Sequence, residues 1–481
     1  MICKKDKSQF QSYLTDASNY QGNAEALFIP ESLDELVNLV KDCNKNKTRI
    51  TLSGNGTGLT GGRVAEEGIV ISFEKFDKIL ELNKNDKTIT VQSGVLLKDL
   101  QEFVEKEGFF YPPDPTERNC FIGGNIVTNA SGARTFKYGP TRNYVESLKI
   151  LLINGNILEL DRNSIVNARS RDVLSNYNVK IPAASKNASG FYCSENQNLI
   201  DLFIGSEGLL GLIVEARLKL LALPNHIFSA IVFFESETNA IDFIEESRNL
   251  SKEIDSTLDA RGLEFFDERS LTFLSKDYTN IPKQAKAAVW FEQEIDQNED
   301  ILIENWTKLL EKHNYLSDFV WFAFDEKDLE KFKDFRHSIS WKVNEYIAQK
   351  NFKKVGTDVA VADNFFKEFY FSSKKMVEDS KLDFVSYGHF GNSHLHLNML
   401  PKNEDEYIIA KKLYKSICQN AISINGTISA EHGIGKLKRE YFEMMYSEEE
   451  ILQMARIKKH YDPNLILNIG NMIDPKYYSM I

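Results

Sequence analysis

Residues 53–62 read Ser-Gly-Asn-Gly-Thr-Gly-Leu-Thr-Gly-Gly and hold five glycines. A short strand-like run, Arg49–Leu52, precedes them, and an apolar strand-like run, Ile69–Phe73, follows. Glycines at this density let the backbone take positive φ angles and bring its N–H groups close to an anion. The stretch predicts either a loop over a cofactor phosphate or an ordinary glycine-rich turn.

The context of this loop argues against a Rossmann site, although residues 56–61 match the pattern G-x-G-x-x-G. A Rossmann fingerprint must open a helix whose N-terminus holds the phosphates. Only Arg63–Gly68 separate the glycines from the next strand, which leaves no room for a helix. The G-K-[ST] ending of an NTPase loop is also absent. We therefore expect a glycine loop that joins two strands.

Composition and charge set further bounds. A length of 481 residues predicts two to three domains, and no apolar run approaches the roughly 20 residues that span a bilayer. The net charge of −12 disfavours nucleic acid as a partner. The five cysteines lie far apart, so we expect neither an iron–sulfur cluster nor a zinc ribbon. Together with the lack of a signal-peptide pattern, they predict a cytoplasmic protein, with peripheral attachment to a membrane as an alternative.

The predicted pattern of helices and strands changes at Pro224. The part before it has short strands and few helices, among them a helix that begins at Ser32 with a capping box to Glu35. Asn154-Gly155 predicts a type I′ hairpin. After Pro224 strands alternate with helices, so both parts are of the α+β class.

Two further glycine-rich stretches lie in the first part. Pro112–Pro115 lead into Ile122–Arg134, and Ile204–Ile213 enter a strand. Each one alone is consistent with a turn-rich linker. Three such stretches in one half of the chain favour a backbone wrapped around one elongated ligand.

The second part concentrates its histidines. Residues 388–398 read Gly-His-Phe-Gly-Asn-Ser-His-Leu-His-Leu-Asn, and Glu431-His432 lie within a second glycine-framed stretch. Strict alternation places His394, His396 and Asn398 on one face of a strand. A bend at Gly391 would bring His389 to the same side. Histidines with a carboxylate suit zinc, manganese or iron(II) and leave positions open for a substrate.

These motifs resemble the flavoenzyme family typified by vanillyl-alcohol oxidase. The resemblance is closest to the branch of D-lactate dehydrogenase, the glycolate oxidase D subunit and D-2-hydroxyglutarate dehydrogenase, and it spans about residues 26–473. The family forms R-G-x-G-T-G-L-x-G-G, P-P-D-P, I-G-G-N, K-Y-G and G-S-E-G-x-L-G match the first half. The forms G-H-x-G-D-x-x-L-H-x-N and E-H-G-I-G match the second half.

The resemblance implies an α+β architecture: a two-subdomain FAD-binding domain of the PCMH type, a ferredoxin-like α+β cap domain and a C-terminal helical tail. We place the FAD-binding domain at residues 1–224, the substrate-binding cap at 225–440 and the tail, returning to the flavin, at 441–481. The implied FAD-binding residues are Ser53, Gly54, Asn55, Gly56, Thr57, Gly58, Pro113, Asp114, Gly123, Gly124, Asn125, Asn129, Ser131, Gly132, Tyr138, Gly205, Glu207, Gly208, Gly211, Ile213 and Asn471. The loop 53–62 lacks the flavin-linking histidine of some relatives, so the FAD is expected to be non-covalent.

The cap motifs imply the chemistry. By resemblance, the metal ligands are His389, His396 and Glu431, with zinc expected and manganese or iron as alternatives. His432 is the implied base, Asn398 lies beside the substrate, and Arg336 binds the substrate carboxylate. A planar guanidinium suits that role, but a solvated charge on a helix is the alternative for Arg336.

Some positions depart from the family pattern. Asn392 and His394 replace the more common aspartate and asparagine, and His394 belongs either to the metal or to its surroundings. Asn468-Ile469-Gly470-Asn471 replaces the usual N-P-G-K. No lysine matches the one that some hydroxyglutarate enzymes use for a second carboxylate, which favours a monocarboxylate such as lactate.

The resemblance implies a metal-assisted FAD-dependent dehydrogenase that oxidises a D-2-hydroxy acid, most simply D-lactate, by hydride transfer to flavin N5. The alternatives are an enzyme similar to alkylglycerone-phosphate synthase, a glycolate oxidase subunit, and a metal- or flavin-binding protein without catalysis. The electron acceptor is open between a cytochrome, a quinone, an electron-transfer flavoprotein and an iron–sulfur subunit. A homodimer is an open alternative to a monomer.

Overall fold

The computed structural model of the protein describes residues 1–162, 177–193, 198–295 and 299–481. The α-helices of these residues are α1 (Leu33–Asn46), α2 (Leu97–Lys106), α3 (Ile122–Thr128), α4 (Thr135–Tyr138), α5 (Ile200–Phe203), α6 (Glu237–Ser251), α7 (Glu268–Leu274), α8 (Glu299–Lys312), α9 (Glu326–Gln349), α10 (Asp363–Asp379), α11 (Glu404–Ser423), α12 (Arg439–Met445) and α13 (Glu448–Tyr461). The strands are β1 (Ile2–Lys4), β2 (Ala26–Ile29), β3 (Ile50–Ser53), β4 (Ile69–Ser72), β5 (Ile79–Asn83), β6 (Thr88–Gln92), β7 (Phe109–Phe110), β8 (Val145–Leu151), β9 (Ile157–Asp161), β10 (Leu212–Lys219), β11 (Leu221–Ala222), β12 (Ile227–Phe234), β13 (Ala260–Asp267), β14 (Ala287–Glu294), β15 (Trp321–Phe322), β16 (Val355–Gly356), β17 (Val359–Ala360), β18 (Phe384–Gly388), β19 (His394–Leu395) and β20 (Leu397–Met399).

The glycine loop joins two neighbouring parallel strands. The first sheet has the order β1-β2-β4-β3, and β4 pairs in parallel with both β2 and β3. Parallel neighbours need a crossover connection, which is usually a helix. Here residues 54–68 make the crossover without one, so the prediction of a strand-joining loop is confirmed. Because no helix occupies this crossover, the backbone of residues 54–68 can line a binding site.

The second sheet is antiparallel, with the order β5-β6-β10-β8-β9. The hairpin of β8 and β9 is present, but the predicted type I′ turn is wrong. A type I′ turn needs positive φ at both central residues, and of this pair only Gly155 has it, with φ 84°. Gly155 N–H donates to Leu152 O and Leu152 N–H donates to Asn156 O, both at 2.9 Å, so the loop has three residues.

Residues after Pro224 form a separate seven-stranded sheet. Its order is β15-β12-β14-β13-β18-β20-β16, and its pairings are antiparallel. Helices and strands alternate along this part of the chain, and the predicted α+β class is confirmed. The boundaries at residues 224 and 440 stay predictions.

Helix α1 begins as predicted, with one difference at its cap. Ser32 Oγ accepts a hydrogen bond from Glu35 N–H at 3.3 Å. The Glu35 carboxylate does not return to Ser32, because it accepts from Glu31 N–H at 2.9 Å and from the Met1 ammonium at 2.6 Å. The predicted reciprocal capping box is therefore only half formed. None of the helices in the described ranges has both the length and the apolar character needed to cross a membrane.

The C-terminal segment returns to the glycine loop. Ile50 N–H donates to Ile466 O at 2.7 Å, and Leu52 N–H donates to Asn468 Oδ1 at 2.8 Å. Asn471 Nδ2 donates to Gly62 O at 2.8 Å. Residues more than 400 positions apart in the chain thus hold the strand and the loop that carry the glycines.

A buried ion pair fixes this return, and its loss should destabilise the protein. The fully buried Lys458 Nζ donates to Asp462 Oδ2 and to Leu209 O, each at 2.7 Å. Replacing Asp462 with alanine leaves a buried ammonium without its counter-charge, which costs about 3–5 kcal/mol. We expect a clearly lower midpoint of thermal unfolding for Asp462→Ala. The control is Glu449→Ala, which removes an exposed pair with Arg456 worth about 0–1 kcal/mol; equal midpoints for the two variants would contradict the prediction.

Candidate active site

The three glycine-rich stretches of the first half line one cavity of about 320 Å³. The walls come from the loop after β3, from the start of α3 and from the segment before β10. Glu431 and His432 line the same cavity, so a motif of the second half borders the glycine walls. The predicted cofactor residues in the lining are Ser53, Gly54, Asn55, Gly56, Thr57, Gly58, Gly123, Gly124, Asn125, Ser131, Glu207, Gly208, Ile213 and Asn471.

The remaining predicted cofactor residues lie outside this lining, and some have partners within the protein. Tyr138 Oη accepts from Arg261 Nε at 2.9 Å and bonds to the Glu294 carboxylate. Asp114 lies 3.5 Å from a guanidinium nitrogen of Arg134. The cofactor roles of this group stay predictions: Pro113, Asp114, Asn129, Gly132, Tyr138, Gly205 and Gly211.

The cavity fits FAD by its backbone. A Cβ atom built on Gly124 would meet no atom within 4 Å, so this glycine faces open space. Gly56 has φ 80°, a left-handed conformation that favours glycine. Hydroxyl and amide side chains such as Thr57 and Asn125 lie between the glycines. Such a wall can approach a pyrophosphate closely and donate hydrogen bonds to it.

The structure brings the three predicted metal ligands together. Glu431 Oε1 lies 3.4 Å from His389 Nε2 and 3.1 Å from His396 Nε2. Ligands that each lie roughly 2.0–2.2 Å from one ion are separated by about 3 Å. Two imidazoles and a carboxylate at this spacing fit a divalent transition-metal ion.

The predicted bend after His389 is present, but the reason for a glycine at position 391 differs from the prediction. A single 3-10 turn, Phe390–Asn392, follows His389, and Ser393 takes the left-handed conformation with φ 53°. A Cβ on Gly391 would lie 2.8 Å from Leu263 Cβ, so close packing rather than positive φ requires the glycine. Arg248 holds the turn by donating to Phe390 O at 2.7 Å.

Each of the two histidines predicted as ligands is oriented through its other nitrogen. His389 Nδ1 lies 2.7 Å from Glu264 Oε1, and His396 Nδ1 lies 3.0 Å from Thr357 O. Because Nδ1 is occupied in this way, Nε2, which lies on the side of Glu431, is the nitrogen that would bind a metal ion. Burial alone would raise the pKa of Glu264, but its contacts with His389 and with the Arg336 guanidinium hold that pKa well below its usual value. Glu264 is a site residue that the sequence analysis missed.

The second oxygen of Glu431 is also held. Glu431 Oε2 accepts from Ser131 Oγ at 3.2 Å and lies 3.4 Å from the buried Lys186 Nζ. Burial opposes ionisation of Glu431, but His389 and Lys186 keep its pKa well below the usual value. Ser131, which was predicted as a cofactor residue, therefore also contacts the metal-ligand set. Lys186 is a second missed residue, and nothing in its sequence neighbourhood distinguishes it.

His432 has the environment of a general base. Its Nδ1 lies 3.3 Å from Asp358 Oδ2, and its side chain is 28% exposed in the lining of the cavity. Burial lowers the pKa of His432 to about 4, despite the neighbouring carboxylates. The ring is therefore neutral at pH 7, and because Nδ1 faces the Asp358 carboxylate, Nε2 is the nitrogen available to accept a proton.

Asp358 organises this side of the site and was missed by the sequence analysis. Its carboxylate accepts from His394 Nε2 at 2.9 Å, from Lys438 Nζ at 2.7 Å and from the backbone N–H of His432 at 3.0 Å. Burial would raise its pKa, but His432 and Lys438 hold that pKa well below the usual value. An aspartate inside the apolar run Val355–Val361 is the signal that could have found it, because acidic residues are seldom buried without a partner.

His394 lies between Asp358 and the predicted metal ligands His389, His396 and Glu431. It is completely buried, and its ring centroid is 4.2 Å from that of His396. One ring nitrogen of His394 lies within 4.8 Å of the ligand atoms of His389, His396 and Glu431. Burial keeps its pKa well below the usual value, so the ring is neutral. Nδ1 has no hydrogen-bond partner among the described residues.

Arg336 and Asn398 lie close to the metal-ligand motifs. Arg336 Nε donates to Glu264 Oε2 at 2.9 Å, and an Nη atom lies 3.0 Å from His337 Nε2. The guanidinium of Arg336 is therefore linked to the site by Glu264, whose carboxylate also orients His389. Asn398 is buried in β20, opposite Val385 of β18. The substrate roles of both residues stay predictions.

Comparison with known proteins identifies both halves of the chain. A family described as "FAD binding domain" matches residues 24–161, and a family described as "FAD linked oxidases, C-terminal domain" matches residues 223–472.

Similar curated proteins cover nearly the whole chain at 30% identity. They include a D-lactate dehydrogenase of Anaerostipes hadrus, covering 93% of this chain and 89% of that protein. A D-2-hydroxyglutarate dehydrogenase of Stutzerimonas stutzeri covers 97% and 95%, and the glycolate oxidase subunit GlcD of Bacillus subtilis covers 96% and 91%. Among solved structures, an alkyldihydroxyacetonephosphate synthase shares the fold, with a TM-score of 0.69 at 18% identity over 97% of this chain and 82% of that one.

Proposed function

This chain belongs to the FAD-linked oxidase family, and from that membership we propose that it oxidises a D-2-hydroxy acid to the 2-oxo acid with FAD as electron acceptor. One observation carries the proposal: His432 borders the FAD cavity with Nδ1 facing Asp358. The adjacent Glu431 closes on His389 and His396. A neutral base beside a cation site and a flavin cavity is the arrangement that dehydrogenation of an alcohol needs.

When bound, FAD supplies a two-electron acceptor, and the divalent cation supplies a Lewis acid that makes the substrate hydroxyl more acidic. The side chains orient the substrate and move its proton. His432 accepts the hydroxyl proton at Nε2, since Nδ1 faces Asp358. His389, His396 and Glu431 hold the cation, and Lys186 and Ser131 keep the second oxygen of Glu431 directed away from it.

Arg336 binds the carboxylate of the substrate in this proposal, and Asn398 lies beside it. A guanidinium has five N–H donors, and the contacts to Glu264 and His337 leave others for a carboxylate. The contact to Glu264 also couples substrate binding to the orientation of His389. The position of Arg336 therefore determines which face of the substrate is presented.

We favour D-lactate or a monocarboxylate of similar size, because no lysine matches the one that some hydroxyglutarate enzymes use for a second carboxylate. Relatives named for lactate and for 2-hydroxyglutarate match this chain at the same 30% identity, so their names do not separate the two substrates. The FAD is held without a covalent bond in this proposal, because Asn55 and its neighbours in the loop include no histidine.

An anaerobic substrate screen tests the function. We expect D-lactate to bleach the bound flavin and L-lactate to leave it oxidised, with D-2-hydroxyglutarate slower than D-lactate. The measurement is the flavin absorbance after mixing with each acid, glycolate included. Bleaching by glycolate alone would favour the glycolate oxidase alternative. A flavin that stays oxidised with every hydroxy acid would contradict the proposal and favour the alternative of an enzyme similar to alkylglycerone-phosphate synthase.

A further inference from the structure

The strongest unexplained feature of the site is the imidazole of His394. Its side chain is fully buried, and its Nε2 lies 2.9 Å from Asp358 Oδ1. Its Nδ1 meets no hydrogen-bond partner in the described part of the chain. A buried polar atom without a partner is uncommon, and a bound ion is one explanation for it. His389, His396 and Glu431 form one group of metal-binding atoms with His394, and all of these atoms lie within 4.8 Å of one another.

We propose that His394 is a third imidazole ligand of the metal, through Nδ1. The inference rests on the metal site of the proposed function and extends it from three protein ligands to four. Asp358 accepts the N–H of Nε2 and so places the lone pair of the neutral ring on Nδ1. The same device orients the other two histidines, with the nitrogens exchanged: Nδ1 is held by Glu264 or Thr357, and Nε2 is free to bind.

The alternative, in which His394 lies near the metal without binding it, leaves the unpartnered Nδ1 unexplained. A histidine that only supported Asp358 would need one nitrogen, and its second nitrogen would be left buried without a partner, which is unfavourable. Ligation removes that cost. The network of Asp358 then has one function on each side: Oδ1 orients His394 toward the metal, and Oδ2 orients the base His432.

The ligand set has a consequence for the identity of the metal. Catalytic zinc sites usually combine three protein ligands with one open position. Three imidazoles and one carboxylate, with two further positions for the oxygens of a 2-hydroxy acid, make six ligands. Six-coordinate sites of nitrogen and oxygen ligands suit manganese or iron(II) better than tetrahedral zinc. Mn²⁺ is therefore the ion with which the ligand set is tested.

The variant that isolates this role is His394→Gln. The amide nitrogen of glutamine can replace Nε2 as the donor to Asp358, but glutamine has no counterpart of the Nδ1 lone pair. The matched control is His226→Gln, which makes the same change at an exposed histidine. Both variants are purified with FAD, stripped of metal and titrated with Mn²⁺ alone.

The decisive measurement is the number of imidazoles bound to Mn²⁺, counted by X-ray absorption or pulsed EPR spectroscopy. We expect three in the wild-type protein and in His226→Gln, and two in His394→Gln. The Mn²⁺ affinity of His394→Gln should fall by more than the roughly 10–100-fold that loss of an outer partner costs, with unchanged FAD content.

Two results would overturn the inference. A count of two imidazoles in the wild-type protein refutes it without reference to any variant, and it leaves the proposed function intact. Unchanged Mn²⁺ affinity of a folded, FAD-loaded His394→Gln also refutes it. Failure of the wild-type protein to bind any divalent ion would refute the metal site itself, and that result alone would contradict the proposed function as well.

Discussion

Replacing His432 with alanine is expected to slow reduction of the flavin by D-lactate by about 10²–10⁴-fold, the usual contribution of a general base. His432 borders the cavity, and burial keeps its pKa at about 4, so the neutral ring is available across the physiological range. FAD should remain bound, because the glycine walls of the cavity do not involve this side chain. Stopped-flow spectroscopy of the anaerobic reaction measures the rate.

Asp358 provides the matching test of how His432 acts. Asp358→Asn keeps the size of the side chain but removes the carboxylate that faces His432 Nδ1 at 3.3 Å. If Asp358 acts on the rate through His432, the double variant should reduce its flavin no more slowly than His432→Ala alone, because residues that act as a unit are not additive. Losses that multiply would show that Asp358 also acts on the rate through its second partner, His394, and an undiminished rate in His432→Ala would exclude His432 as the base.

Loss of the Glu431 carboxylate should abolish metal binding and most of the activity. Glu431 Oε1 is the atom on which His389 and His396 converge, and an amide lacks the charge that offsets a divalent cation. We expect Glu431→Gln to retain little metal after dialysis and to slow flavin reduction by about 10³-fold, since a Lewis acid contributes several kcal/mol and each 1.36 kcal/mol is tenfold in rate. Metal analysis and stopped-flow rates check both effects.

The control for this variant is Glu440→Gln, a few residues after Glu431 in the chain. Glu440 is an exposed glutamate that is paired with Lys415. The control variant should keep both metal and rate. Treating the wild-type protein with a chelator should reproduce the rate of Glu431→Gln, and adding the ion back should restore the wild-type rate only. Full turnover after chelation, or in a metal-free Glu431→Gln, would rule out a catalytic metal.

Local elements were well predicted because their causes are local. The side-chain oxygen of Ser32 and the apolar spacing after it specify the start of α1, and the structure has that cap. The capping box failed in its second half because the Met1 ammonium, 34 residues away, attracts the Glu35 carboxylate. The turn at Asn154-Gly155 was found but mistyped, because the register of β8 and β9 determines the loop length. In each case a contact with residues outside the sequence motif determined the observed geometry.

The candidate site divides in the same way. His389, His396, Glu431 and His432 stand in dense motifs and could be selected from the chain alone. The residues that orient them are harder to select, because Glu264 and Lys186 are single charged residues outside any motif, and Asp358 is marked only by its apolar neighbours. Asp358 contacts the backbone of His432 across 74 positions, and Glu264 contacts His389 across 125.

The sequence by itself determined the class of cofactor and the class of enzyme through motifs that resemble a known flavoenzyme family, because such motifs are local and can be recognised without the fold. It also determined that residues 53–62 form a loop between strands without a Rossmann helix. Only the tertiary structure decided that this loop shares a cavity with Glu431 and His432. It alone decided which nitrogen of each histidine is free, because the tautomer depends on a partner that folding brings from elsewhere in the chain.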